Sequence, residues 1–301
     1  MRLTRHGRLQ RLLVLVLVIG AAPDAGSVRS QTPPAPSPPR KLVIVDRSGQ
    51  QTVIGAVAPN IWGPRVSRDG RWLALTLTGD TRAGDMLYVA PLMNPAAMRQ
   101  LGPGRNPHWS HDGTRLFFSG ANTETLLWRR VDGNDTGEVL LTPVRAPESL
   151  SADGRTLSYV QALDDRFSGW TFDLATRTRT PIPDSGPESL GTNISPDGRW
   201  IAYQSTRSGR HEVWVQPLAR RGPAVQVTLQ GGYRPLWSAD MREMYFDDGN
   251  RRLFAVPVRA EREFVVAGPA VALPIEGFVQ TGIGRRMYDL LPDGRFLMIF
   301  P

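Results

Sequence analysis

The stretch SPDGRWIAY at residues 195–203 couples a polar turn to an apolar, strand-like run, and the chain repeats it. Copies read SRDGRWLAL from Ser67, SHDGTRLFF from Ser110, SADGRTLSY from Ser151, SADMREMYF from Ser238 and LPDGRFLMI from Leu291. Their aspartates, Asp69, Asp112, Asp153, Asp197, Asp240 and Asp293, stand 43, 41, 44, 43 and 53 residues apart. A period in the low forties is the spacing of a four-stranded propeller blade.

Each copy follows a short segment of inner-strand length, namely PRVS, PHWS, ESLS, TNIS, PLWS or YDLL. After it come a second apolar strand, a polar loop, a third strand such as MLYVAPL or EVWVQPL, and a more variable fourth. Alternating and β-branched runs between Gly, Pro, Asn and Asp indicate strands, and no segment after the leader shows sustained helical periodicity. In the turn, Asp can accept hydrogen bonds from amides two residues on, and Gly tolerates positive φ. Met241 replaces that Gly in the fifth copy, so this corner either changes type or holds a mildly strained residue.

Only RFLMIFP follows the sixth turn, which leaves the last blade two strands of its own. The stretch KLVIVDRSGQQTVIG at 41–55 reads as a third and fourth strand with no first half. Pairing the two halves closes a ring and hides two sheet edges that would otherwise invite aggregation. The expected fold is all-β: a six-bladed β-propeller over 41–301, with four antiparallel strands per blade, closed by N-terminal strands completing the last blade.

These turn-strands, the PLWS and PHWS segments and STRSGRHEVWVQPL from Ser205 resemble the WD-type β-propeller repeats of the periplasmic translocation protein TolB. They resemble still more the propellers at the C-terminus of many bacterial serine/threonine kinases and transcriptional regulators. The opening LVIVDRSGQ and the ending YDLLPDGRFLMI are similar to the two ends of that propeller group, so the likeness runs from about Lys41 to Pro301. It implies a fold far more than a function. The residues before Lys41 are not expected to form the α/β domain that precedes the TolB propeller, and no kinase or helix-turn-helix segment is seen.

Composition narrows the classes. The 301 residues include no cysteine, which removes disulfides, thiolate metal sites and a cysteine nucleophile. Of the formal charge of +8, half lies in the first thirty residues, where Arg2, Arg5, Arg8, Arg11 and Arg29 face Asp24. The rest is dispersed and almost wholly arginine, with Lys41 the single lysine. Nucleic-acid binders cluster their charge on one face or arm, so no nucleic-acid partner is expected.

Residues 1–30 have the layout of a signal peptide, with an uncleaved anchor as the alternative: a basic start, an apolar run at 12–22, then small and polar residues. Eleven apolar residues rise only ~16 Å as helix against a ~30 Å hydrocarbon core, too short for a full span. Residues 31–40, QTPPAPSPPR, form a proline-rich polyproline II spacer. The expected location is periplasmic or secreted, with membrane contact only through an uncleaved anchor.

No catalytic constellation stands out. His108 and His111 have i, i+3 spacing, but neither has an evident third or fourth ligand, and both read as turn and strand residues. His211 is expected to be exposed, and the pairs Asp164 and Asp165 and Asp247 and Asp248 read as solvated loop charges. Neither a G-x-S-x-G elbow nor a glycine-rich nucleotide loop is present. No metal, cofactor or catalytic residue is assigned.

A propeller offers a channel mouth, built in part from the loops that join consecutive blades. Those loops place Trp62, Arg105, Asn106, Arg145, Glu148, Glu188, Asn193, Tyr233, Arg234, Arg285 and Arg286 near it. Arginine and aromatic side chains dominate binding hot spots, so this set is the candidate ligand-binding face. The repeated Trp72, Trp109, Trp128, Trp200, Trp214 and Trp237 are expected in the core. The leading expectation is a monomeric, non-enzymatic, exported propeller that binds a protein or peptide in the cell envelope. The alternatives are a propeller-type lyase or hydrolase acting on a sugar or peptide in the channel, and a sensor acting in trans with an envelope kinase.

Overall fold

The computed structural model describes residues 38–301 except 80–83, 122–123, 135, 164–165, 220–221, 281 and 283–284. The predicted leader, most of the proline-rich spacer and the Asp164 and Asp165 pair lie outside the described residues.

Six antiparallel sheets carry the chain. Blade 1 runs through Ile61–Val66, Trp72–Thr78, Asp85–Pro91 and Arg99–Pro103, and blade 2 begins at Arg105–Trp109, blade 3 at Ala146–Leu150 and blade 4 at Leu190–Ile194. Blade 5 begins at Tyr233–Trp237 and blade 6 at Tyr288–Leu290. These first strands touch from blade to blade and so surround the channel.

Blade 6 is completed from the other end of the propeller, as expected. Arg40–Val45 lies between Phe296–Phe300 and Gln51–Val57, with Lys41 opposite Phe300 and Val45 opposite Phe296. Leu42, Ile44, Leu297 and Ile299 are almost fully buried in one cluster with Leu73 and Leu75 of blade 1. The seam between chain ends is therefore packed as core.

The corner chemistry repeats as read. Asp69 accepts from the amide of Arg71 at 3.0 Å, while the Ser67 hydroxyl donates to Asp69 and accepts from the Trp72 amide at 2.9 Å. The same set recurs at Ser110, Ser151, Ser195 and Ser238. These bonds favour the ionised carboxyl, and the Ser110 hydroxyl bond and its companions lower Asp112 to about 2. Met241 keeps the turn type by adopting φ +60°, with its amide bonded to the Ser238 carbonyl at 3.1 Å.

Blade 5 departs from the pattern. Its long third strand Arg252–Ala260 pairs at its end with Phe264–Val266 and at its start with Val271–Glu276, so the outer position is filled by two short strands. This insertion accounts for the one spacing of 53 residues. It also settles the tryptophans. Trp200 and Trp237 are buried against Phe264, with ring centroids 5.9 and 5.8 Å away, and Trp109 is buried as well. Trp128 and Trp214 are half-buried beneath Arg115 and Arg207. Trp72, expected in the core, is instead 41% exposed; it holds the repeat position of Trp200 but has no aromatic partner among the described residues.

Candidate functional site

Every inner strand of blades 1 to 5 is broken by a register shift: Trp62/Arg65, Arg105/His108, Pro147/Ser149, Leu190/Asn193 and Tyr233/Leu236. In four of them one residue takes positive φ, at Gly63, Asn106, Gly191 and Arg234, with values from +51° to +62°. Such bulges bend the strand and re-aim its side chains. Here they bring the residue two places before each turn to the channel wall. Arg65, His108, Ser149, Asn193, Leu236 and Asp289 line one cavity, a different side chain from each blade.

Three members of this ring also fasten neighbouring blades. Asp289 accepts from the Val66 amide at 2.9 Å, Ser149 from Ile194 at 2.9 Å and Asn193 from Trp237 at 3.2 Å. The Trp109 and Trp237 indoles donate to the carbonyls of Arg65 and Asn193. Asn193, expected at the mouth, lines the opposite, turn-side end of the channel. Arg65 and Asp289 are absent from the expected set; their signal in the sequence is that the residue two places before each turn differs from blade to blade.

The buried charges each have a distinct physical setting. Burial and the nearby Arg65 and Arg286 hold His108 well below the usual imidazole value, and its Nε2 lies 3.4 Å from the Arg65 Nε donor. Burial, with Arg286 adding repulsion, lowers Arg65 to about 9. Burial raises Glu148 to about 7 against the opposing pull of the Gly191 and Thr192 amides that it accepts from. Arg286 donates to the Tyr288 carbonyl at 3.1 Å and to Asp289 at 3.3 Å.

Two expectations are corrected here. Asp247 is wholly buried rather than solvated, because Arg234 donates to both its oxygens, the Nε bond being 2.7 Å, and Gln280 adds a third donor. His211 is buried rather than exposed, tucked beside the Tyr233 ring at 5.2 Å and 3.3 Å from a Glu188 oxygen. Asp248 is the surface member of its pair, capping the Asn250 amide at 2.7 Å.

The structure brings eight of the eleven predicted residues together. Trp62, Arg105, Asn106, Arg145, Glu148, Arg234, Arg285 and Arg286 line two adjoining pockets at the mouth. Glu188 and Tyr233 stand aside with His211. Within the set, roles divide by burial. Trp62 is 3% exposed, donates to Thr78 at 2.8 Å and carries the Arg285 guanidinium over its ring at 4.1 Å. Arg234, Glu148 and Arg286 are buried and engaged as above, whereas Arg105, Arg145 and Arg285 reach the opening. Among the described residues no group of three metal-ligating side chains occurs.

Comparison with known proteins shows the same architecture. No family model matches the chain. An uncharacterized protein of Agrobacterium fabrum is 31% identical over 64 residues, which is 21% of this chain and 22% of that protein. The chain thus matches about a fifth of that relative's length. A protein of Agrobacterium tumefaciens described as TolB superposes with a TM-score of 0.67 at 20% identity, covering 88% of this chain and all of the other. TolB of Acinetobacter baumannii gives 0.57 at 16% identity, over 78% of this chain and 66% of that one. A nidogen/laminin complex gives 0.58 at 11% identity, over 72% and 89%. Identities this low carry the fold and not the partner. In fold, the chain is a TolB-like six-bladed β-propeller.

Proposed function

We propose that this propeller is a non-enzymatic, exported binding module whose channel mouth holds a protein or peptide partner in the cell envelope. The observation that carries the reading is the division of the charged groups. The deep ones, Arg65, Glu148, Arg234, Asp247, Arg286 and Asp289, are committed to structural bonds, while Arg105, Arg145 and Arg285 face the opening beside an aromatic platform. Arginine over a buried tryptophan is the composition of a recognition surface rather than of a proton-transfer site. The leader layout supports export. Among the described residues no helix is long and apolar enough to cross a membrane.

The test is site-specific photocrosslinking in envelope extracts. A photoreactive residue at Arg145, at the mouth, is expected to trap a discrete partner that the same residue at Arg155, in an exposed turn, does not. Equal trapping at both positions overturns the reading. The enzymatic alternative draws on one specific pairing: His108 and Glu148 line the same channel cavity, one neutral and the other titrating at about 7. Turnover of a sugar or peptide by purified protein, lost in His108→Gln, would replace the binding reading. The sensor alternative keeps the same binding face and differs only in the partner, an envelope kinase.

A further inference from the structure

The pocket beside Arg285 is the strongest feature not absorbed by the fold. Arg105, Arg145 and Arg285 all line it, and Val160, Phe167 and Leu190 are its large apolar residues. Among the described residues, none of the three guanidinium groups has a side-chain hydrogen bond or an ion pair. That sets them apart from Arg65, Arg234 and Arg286, each bonded to an acceptor in the channel. Asp85 and Glu124 are the carboxylates whose fields reach Arg105, and neither bonds to it. Glu148 also lines the pocket, but its oxygens are taken by the Gly191 and Thr192 amides.

Three like charges in one concavity repel each other. Burial, then Arg145 and Arg285, lower the Arg105 value; Asp85 and Glu124 act in the opposite sense without bonding to it, so among the described residues the cluster keeps a net electrostatic cost. An anion entering between them would relieve it. The guanidinium fork matches a carboxylate in two-bond geometry, and three forks can surround one. The apolar lining narrows the choice of anion. Leu190 and Val160 are already covered by the protein, whereas Phe167 is half-buried, so a bare inorganic ion would leave the apolar surface of Phe167 uncovered. An anion attached to hydrocarbon fills both halves.

Resting on the binding role proposed above, we infer that this pocket takes a peptide carboxylate carried next to an apolar side chain, with Arg105, Arg145 and Arg285 on the anion and Phe167 on the apolar group. The carboxylate can come from a chain terminus or from an acidic side chain. Both offer the same chemistry to the pocket.

The test uses three pools of fluorescent octapeptides with randomised leading positions: one ending in Leu as the free acid, one ending in Leu as the amide, and one amidated with an internal Glu-Leu pair. Anisotropy titration of the intact chain is expected to show at least tenfold tighter binding of a carboxylate-bearing pool than of the plain amide pool. Whichever pool gains identifies the source. The gain is expected to disappear in Arg105→Gln/Arg145→Gln/Arg285→Gln and to fall at least threefold in the single Arg145→Gln, which replaces an exposed side chain, with melting temperatures unchanged. Equal binding of all pools, a carboxylate gain retained in the triple variant, or no binding of any pool overturns the inference. The crosslinking experiment is read independently, so a mouth that traps a partner without preferring carboxylates keeps the binding role and loses only this pocket.

Discussion

Arg234 on the inner strand of blade 5 and Asp247 at the end of the next strand form a two-pronged ion pair with exposures of 5% and 0%. The Tyr288 hydroxyl of blade 6 donates to the Arg234 carbonyl at 2.9 Å and lies 3.4 Å from Asp247. The pair thus joins two blades at the channel. Removing one partner strands a charge that water cannot reach, which costs about 3–5 kcal/mol. Arg234→Ala is expected to lose that much by denaturant unfolding, far beyond the loss in Arg145→Ala. A loss under about 1 kcal/mol would show that the pair is solvated.

The seam of the ring has a sharp stability signature. Leu42 is fully buried between blades 6 and 1, whereas Val53, on the outer strand of the same blade, is 58% exposed. Leu42→Ala is expected to cost about 2–5 kcal/mol and Val53→Ala about 0.5 or less. Equal unfolding midpoints for the two variants would show that the seam is not closed in solution.

Glu148 and His108 give the channel opposite responses to acid. The Glu148 carboxyl titrates at about 7 in the folded chain, above its value of ~4.3 when unfolded. Folding favours its protonated form, so its contribution is full below the unfolded value and is lost as pH rises through about 7. Glu148→Gln is expected to flatten the decline in stability between about pH 4.5 and 7. His108 is held below its usual value, so its contribution is present above ~6.5 and is lost as pH falls. His108→Gln is expected to flatten the acid limb. Urea midpoints measured from pH 5 to 8 check both, and unchanged slopes would contradict them.

The repeated corner can be tested without touching the core. Gly198 sits at φ +73° with open space where a Cβ would point, so Gly198→Ala probes backbone conformation alone. A loss of about 1–2 kcal/mol is expected, read from the thermal midpoint. Met241 already occupies the equivalent place at φ +60°. Its presence shows that the fold tolerates one such cost among its corners.

The repeat told most of the architecture because its information is local. Ser195 and Asp197 fix a corner through bonds spanning two to five residues, and copying that corner copies the blade. The seam was legible because an unfinished hairpin at one end met an orphan pair of strands at the other. The channel was read less well. Asp247 looks like a loop acid until Arg234, thirteen residues earlier, folds back to it. His211 looks like a loop base until Glu188 and Tyr233 of adjoining segments cover it. Both depend on contacts between side chains that no period announces. Trp72 and Trp200 share a repeat position and differ in exposure because only Trp200 has Phe264, from the irregular outer strand of blade 5, above it.

Strand Arg40–Val45 is hydrogen-bonded on both flanks, to Phe296–Phe300 and to Gln51–Val57. Tension applied at Arg40 along the strand axis would load the rungs of both ladders in shear, all at once, instead of unzipping them singly. A tether attached there would grip the propeller at a mechanically strong point, and rupture would demand breaking the ring at its latch.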